Sequence, residues 1–90
     1  MWYVYIIESR KKNFIYIGST NDLKRRFIKH NNGMSQSTKA YRPYELLACI
    51  PVQLEVQARS LEQYFKTGSG KAILYQRILG KDSGRSFGEE

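Results

Sequence analysis

Arg26 and His30 stand four residues apart in the run Leu23-Lys24-Arg25-Arg26-Phe27-Ile28-Lys29-His30, a spacing that brings two side chains to one side of a helix. With Leu23 at zero and about 100° per residue, Phe27 falls near +40°, His30 near −20° and Arg26 near −60°. A guanidinium and an imidazole thus share the half of the helix that carries the apolar residues. An arginine placed there needs a partner or a ligand, because burying it unpaired is costly. It offers a fixed positive charge, and His30 offers the one side-chain type whose ordinary titration lies near neutral pH. The plainer reading of this helix alone is a snorkelling Arg26 and a His30 that caps the helix end. Lys24, Arg25 and Lys29 fall between about 100° and 240° and belong to the solvated face.

A carboxylate and two tyrosines complete the set of side chains that could do chemistry. Relative to Leu54, at about 100° per residue, Glu62 lies near +80° and Glu55 near +100°, on the shoulder of a stripe made by Leu54, Ala58, Leu61 and Phe65. Either could face a cleft at a sheet edge, although the plainer reading of Glu62 is a surface pair with Lys66 one turn on. Strand alternation puts Tyr3, Tyr5 and Ile7 on one face and Phe14, Tyr16 and Gly18 on one face. Each tyrosine taken singly also suits an amphipathic core position. With one histidine and one cysteine, there is no disulfide framework, no multi-cysteine metal site and no well-supported Cys-His nucleophile pair. Cys49 reads as a small core residue in a reducing compartment. Gly68-Ser69-Gly70-Lys71 looks like a phosphate loop but follows a helix and has Ala72 where Ser or Thr would bind magnesium; it reads as a helix-stop linker.

Few elements are available to position these groups. Ninety residues, 41% hydrophobic and 26% charged, make one domain with one modest core. Trp2 to Ile7 and Phe14 to Ile17 are β-branched and aromatic, joined by Ser9-Arg10-Lys11-Lys12, and predict a hairpin with a basic tip. Gly18 to Asp22 supplies helix N-caps and Asn32-Gly33 a stop, so helix one covers about 21–32. Met34 to Arg42 predicts a basic surface loop, and Pro43 to Ile50 a third strand ended by Pro51. A long helix follows from Val52, closing at Gly68-Ser69-Gly70, then a short one over about 71–79. Residues 80–90 hold three glycines and one large apolar residue, which predicts a mobile tail after a domain over 1–79. The order β-β-α-β-α-α gives an α+β class with a small, mostly antiparallel sheet.

Charge adds a direction. Fifteen Lys and Arg against eight Asp and Glu leave a formal +7, and residues 1–44, with nine bases and two acids, account for all of it. A basic surface interleaved with tyrosines and a histidine attracts polyphosphates, chiefly nucleic acid. No apolar run reaches the roughly 20 residues that span a bilayer, so no membrane partner is expected and a cytoplasmic location is.

Tyr3-Val4-Tyr5, then Tyr16-Ile17-Gly18 with eleven residues from Tyr5 to Tyr16, then Ser19 through Arg26 and on to His30, resembles the GIY-YIG nuclease superfamily, most closely its small stand-alone bacterial members. Ser37-Thr38-Lys39 ahead of Arg42-Pro43 resembles the hydroxyl-and-base loop of those members, and Leu61 to Lys66 resembles the family's late glutamate segment. Tyr3 stands where the first motif glycine would be, a change shared by the small members. The resemblance implies a three-stranded antiparallel sheet flanked by helices and a DNA endonuclease that hydrolyses phosphodiester bonds. Its implied catalytic residues are Tyr5, Tyr16, Arg26, His30 and Glu62, with Glu62 holding one divalent metal, Mg²⁺ or Mn²⁺. A lone hard carboxylate suits one such ion that keeps most of its waters. Lys24, Arg25, Lys29, Lys39 and Arg42 are the expected nucleic-acid contacts. Branched, damaged and single-stranded DNA all lie within the expectation, as does a protein partner that supplies targeting. The alternative is a basic nucleic-acid-binding module of the same fold with little or no turnover.

Overall fold

A computed structural model describes residues 1–80 of the chain and the backbone of Ser86 and Phe87. Strand β1 (Trp2–Ser9) pairs antiparallel with β2 (Phe14–Thr20) on one side and with β3 (Tyr44–Val52) on the other. The hairpin turn is closed by Ser9, whose Oγ accepts from the backbone N–H of Lys11 at 3.1 Å and of Lys12 at 3.0 Å. Beyond β2, the two-residue strand β4 (Ser86–Phe87) pairs parallel with Phe14 and Ile15. The architecture is the expected α+β fold, an antiparallel three-stranded sheet flanked by helices. The tail expected over 80–90 lies, at 81–85 and 88–90, outside the described residues.

Strand alternation divides the core in two. Val4, Ile6, Ile15 and Ile17 face one way and pack with Ala58, Phe65, Leu74 and Tyr75, under helices α2 (Glu55–Phe65) and α3 (Gly68–Ile73), the latter continued by a wider π-type turn over Leu74–Leu79. Tyr5, Ile7 and Tyr16 face the other way with Tyr44, and Phe14, Leu23, Phe27 and Tyr41 pack against them beneath α1 (Leu23–Asn31). Each fully buried aliphatic side chain stabilises the sheet by roughly 1.5–3 kcal/mol. The sheet is thus a partition with an aliphatic side and an aromatic, hydrogen-bonding side.

Several boundaries differ from expectation for identifiable reasons. Helix α1 starts at Leu23 because Asp22 caps it, its Oδ1 accepting from Arg25 N at 3.1 Å. Strand β3 runs through Pro51 to Val52; it is an edge strand, so the missing N–H costs no ladder bond. Gly68-Ser69-Gly70 is no linker but the first turn of α3, capped by Thr67 through Gly70 N at 3.1 Å. Gly70 allows that turn to seat on the end of α2: a Cβ there would overlap the Tyr64 carbonyl oxygen and come within 2.9 Å of Phe65 Cα. Leu54, placed in the apolar stripe by periodicity, is the 56% exposed N-cap of α2. The buried face of α2 centres instead on Ala58, Glu62 and Phe65. Among the described residues no helix is long and apolar enough to cross a membrane.

Candidate active site

Tyr5 and Tyr16 reach the same space from neighbouring strands, their ring centroids 6.2 Å apart, and α1 lays Arg26 and His30 over them. The Tyr5 hydroxyl lies 2.8 Å from His30 Nε2 and accepts from Arg26 Nε at 3.3 Å. His30 Nδ1 lies 2.7 Å from Thr38 Oγ1. Arginine can only donate. Arg26 therefore donates to Tyr5, and the direction of the bonds onward to His30 and Thr38 follows the imidazole tautomer. Tyr5, Tyr16, His30 and Thr38 are all 0% exposed, and Arg26 is the half-buried member through which this chain meets the surface.

Two local features make that packing possible. Gly18 is paired directly across from Tyr5, and a Cβ on it would lie 2.5 Å from Tyr5 Cζ and nearer still to the hydroxyl oxygen. The glycine leaves the phenol its place. On the far side, Thr38 is held by its own loop: its carbonyl accepts from Tyr44 Oη at 2.8 Å, while Asn31 clamps the Tyr44 backbone through bonds of 2.6 and 3.3 Å. Burial, with a smaller contribution from Tyr41, pushes the Tyr44 hydroxyl up to about 12, so it remains a proton donor in this role. The bond to Tyr5 is the main influence holding Arg26 charged above its already high ordinary value, against the opposing pull of burial, and charge and hydrogen bonding from Tyr16 act with it.

Glu62 arrives from the opposite face. It is 3% exposed, with Oε1 accepting from Ser19 Oγ at 2.6 Å and Oε2 paired with Lys66 Nζ at 2.9 Å. The expected pair with Lys66 therefore exists, but with a buried carboxylate rather than on the surface. Glu55, the other acid on that shoulder, is a solvent-facing partner of Arg59 at 3.3 Å. Ser19 follows Gly18, so Glu62 and the Tyr5 hydroxyl approach consecutive residues at the end of β2 from its two sides. Among the described residues no three His, Cys, Asp or Glu side chains converge as metal ligands. A cation fits the donor chemistry at Glu62: a hard carboxylate whose Oε2 already holds an ammonium on a flexible side chain. Cys49 is half-buried rather than core, and burial raises its thiol, the reverse of an activated nucleophile.

The basic residues fall into two groups. Arg25, Arg26 and Lys29 line a pocket of about 240 Å³ with Thr20, Asn21 and Asp22, so the division of α1 into an inward Arg26 and outward Arg25 and Lys29 was too sharp. Lys24 is exposed beside it. Lys39 and Arg42 lie elsewhere, in a cleft of about 530 Å³ at the other end of α1. Residues that sequence reasoning had not assigned to the site are Ser19 and Thr38, which hold Glu62 and His30, and Asn31.

Residues 1–76 match the GIY-YIG catalytic domain family. The chain belongs to that family. It is a nuclease family, and the match takes in all five residues expected to be catalytic. Curated relatives are small bacterial proteins. UPF0213 protein YazA of Bacillus subtilis is 37% identical over 65 residues, covering 71% of this chain and 65% of YazA. UPF0213 protein YsiG of Lactococcus lactis is 35% identical over 66 residues, 72% of this chain and 62% of YsiG. UPF0213 protein SSP2268 of Staphylococcus saprophyticus is 35% identical over 68 residues, 74% of this chain and 82% of its own length. The chain thus spans just under two thirds of the length of the first two of these relatives.

Proposed function

We propose that this chain is a metal-dependent endonuclease that hydrolyses phosphodiester bonds in DNA, with structured or damaged DNA as its substrate class. The observation that carries the reading is the buried chain from Arg26 through Tyr5 and His30 to Thr38, held together by bonds of 2.7 to 3.3 Å. Burying three of these polar side chains, Tyr5, His30 and Thr38, in a 90-residue domain costs stability that an apolar core would not; their use in chemistry accounts for it.

In this reading a phosphate seats in the pocket of Arg25, Arg26 and Lys29, and Arg26 neutralises the charge that grows on its oxygens. Tyr16 takes the proton of the attacking water, with Arg26 supplying the positive charge that a phenol, ordinarily titrating near 10, requires for that role. Tyr5 and His30 orient that charge, and Thr38 fixes the imidazole. Glu62 would hold one Mg²⁺ or Mn²⁺, which when bound supplies Lewis-acid stabilisation of the phosphate and leaving oxygen. Lys24, Lys39 and Arg42 contact the flanking backbone.

Purified protein incubated with branched, nicked, single-stranded and duplex DNA plus Mg²⁺ or Mn²⁺ tests this. Cleavage is expected on at least one substrate, reduced by about 10²-fold or more in Arg26→Ala and Glu62→Gln. Melting curves on the same samples separate lost chemistry from lost folding. Cleavage undiminished in Glu62→Gln would overturn the assignment.

The second reading, a binding module of low turnover, is favoured by one observation: Lys66 occupies Oε2 of Glu62 at 2.9 Å. If that ammonium excludes the metal, Lys66→Met raises turnover at limiting metal. Unchanged metal dependence in that variant leaves the first reading standing.

A further inference from the structure

The second basic cleft is built from three separated segments. The hairpin turn gives Lys11, the end of α1 gives Asn31, and the turn over Lys39–Tyr41 and its exit give Lys39, Ala40, Arg42 and Pro43. These walls are tied together. Arg10 N donates to the Pro43 carbonyl at 2.9 Å and Ser9 Oγ to the Tyr41 carbonyl at 2.5 Å, fastening the hairpin to the loop. Asn31 fastens α1 to Tyr44. Arg42 rests against Gly33 with Nη1 on the Lys39 carbonyl at 3.1 Å, so its fork is partly positioned in advance. Among the described residues the ion pairs are Arg59–Glu55 and Lys66–Glu62; Lys11, Lys39 and Arg42 are matched by no carboxylate, and no acid lines the cleft. Three cations converging on a space of about 530 Å³, with no counter-charge among its described lining residues, make an anion seat.

Its position says which anion. The pocket of Arg25, Arg26 and Lys29 runs from the residues ahead of α1 to its last turn, and this cleft adjoins the last residue, Asn31. Five residues of helix separate Arg26 from Asn31, about 7.5 Å at 1.5 Å per residue. That is roughly two nucleotide steps of a strand rising 3.4 Å each. We propose that the Lys11–Lys39–Arg42 cleft is a second backbone-phosphate seat, and that a polynucleotide strand runs along α1 between it and the Arg26 pocket. This deepens the nuclease reading and rests on it for the role of the Arg26 pocket, but binding alone tests it.

The test uses the full chain in EDTA, where nothing is cut, with fluorescein-labelled oligothymidylates from about two to about twelve nucleotides. Affinity is expected to climb until the strand spans about three to four nucleotides and then level. Lys11→Ala/Lys39→Ala, which removes two exposed side chains without a described bond to lose, should weaken the longer oligonucleotides about tenfold and lower the salt slope by about 1.4, leaving the shortest unchanged. Arg42→Ala should weaken the same longer oligonucleotides and lower the slope by about 0.7. Equal losses at every length, no loss at any length, or complete displacement of a long strand by millimolar inorganic phosphate would each overturn the proposal. The last would mark a seat for free phosphate. Absence of cleavage in a metal-containing assay bears on the nuclease reading and leaves these outcomes intact.

Discussion

Replacing Gly18 by alanine asks whether Tyr5 is held where the chemistry needs it. The added Cβ would stand 2.5 Å from Tyr5 Cζ and 2.9 Å from Cε1, and closer to the hydroxyl oxygen. The ring cannot swing freely, because its hydroxyl is bonded to His30 at 2.8 Å and Arg26 at 3.3 Å. If β2 yields, overpacking costs about 1–3 kcal/mol. If Tyr5 yields instead, its buried hydrogen bond to His30 is stretched or lost, about 1–3 kcal/mol again. Alanine regains about 0.5–1 kcal/mol over glycine inside a strand, so the net loss is about 1 kcal/mol. For a domain of this size that lowers Tm by roughly 4–8 °C, read by circular dichroism. The second arm is Tyr5→Leu, whose side chain ends short of all three crowded atoms. In that background Gly18→Ala should cost little, a coupling of 1 kcal/mol or more. Gly18→Ala melting with wild type, or an equal penalty in both backgrounds, would refute the reasoning.

Other consequences are as direct. Tyr44, pushed up to about 12, stays protonated in the folded state while the unfolded chain ionises near 10, so its contribution is complete below about pH 10 and is lost as pH rises toward 12, on the order of 2 kcal/mol in all. Denaturant melts from neutral pH to pH 11 should show this loss, and Tyr44→Phe should flatten it. Tyr16→Phe keeps the ring but removes the proposed base; the rate should fall about 10²–10⁴-fold with DNA affinity near normal, and a rate within a few-fold of wild type would transfer the role to His30 or a metal-bound water. With four to six phosphate contacts, DNA affinity should fall with salt at a log–log slope of about −3 to −5, and a flat response would remove the basic surface from the account.

The parts of the fold that could be read from sequence are those set by local pattern. The alternation in Trp2–Ser9 and Phe14–Thr20 separates the two faces of the sheet correctly, because period two leaves no choice once one face is aliphatic. Arg26 and His30 were placed together for the same reason at helical period. What local pattern misses is set by neighbours. Gly68-Ser69-Gly70 has the composition of a stop, but Thr67 caps it and the close approach to Tyr64 selects Gly70, so it starts a helix. Leu54 looks like core until the sheet ends before reaching it.

Glu62 has the spacing to Lys66 of a surface pair, and that pair is present, yet its carboxylate is buried. Its burial comes from β2. Gly18 must be small on one face to receive the Tyr5 hydroxyl, and the next residue, Ser19, necessarily points to the other face, where it donates to Glu62. A strand rises about 3.4 Å per residue, so the aromatic chain on one side of the sheet and the carboxylate on the other are brought to within one residue of each other at the strand's end. Neither helix could do this, because α1 and α2 lie on opposite sides of the sheet. On the nuclease reading proposed above, the Gly18-Ser19 step is the place where the two half-sites would meet one phosphate.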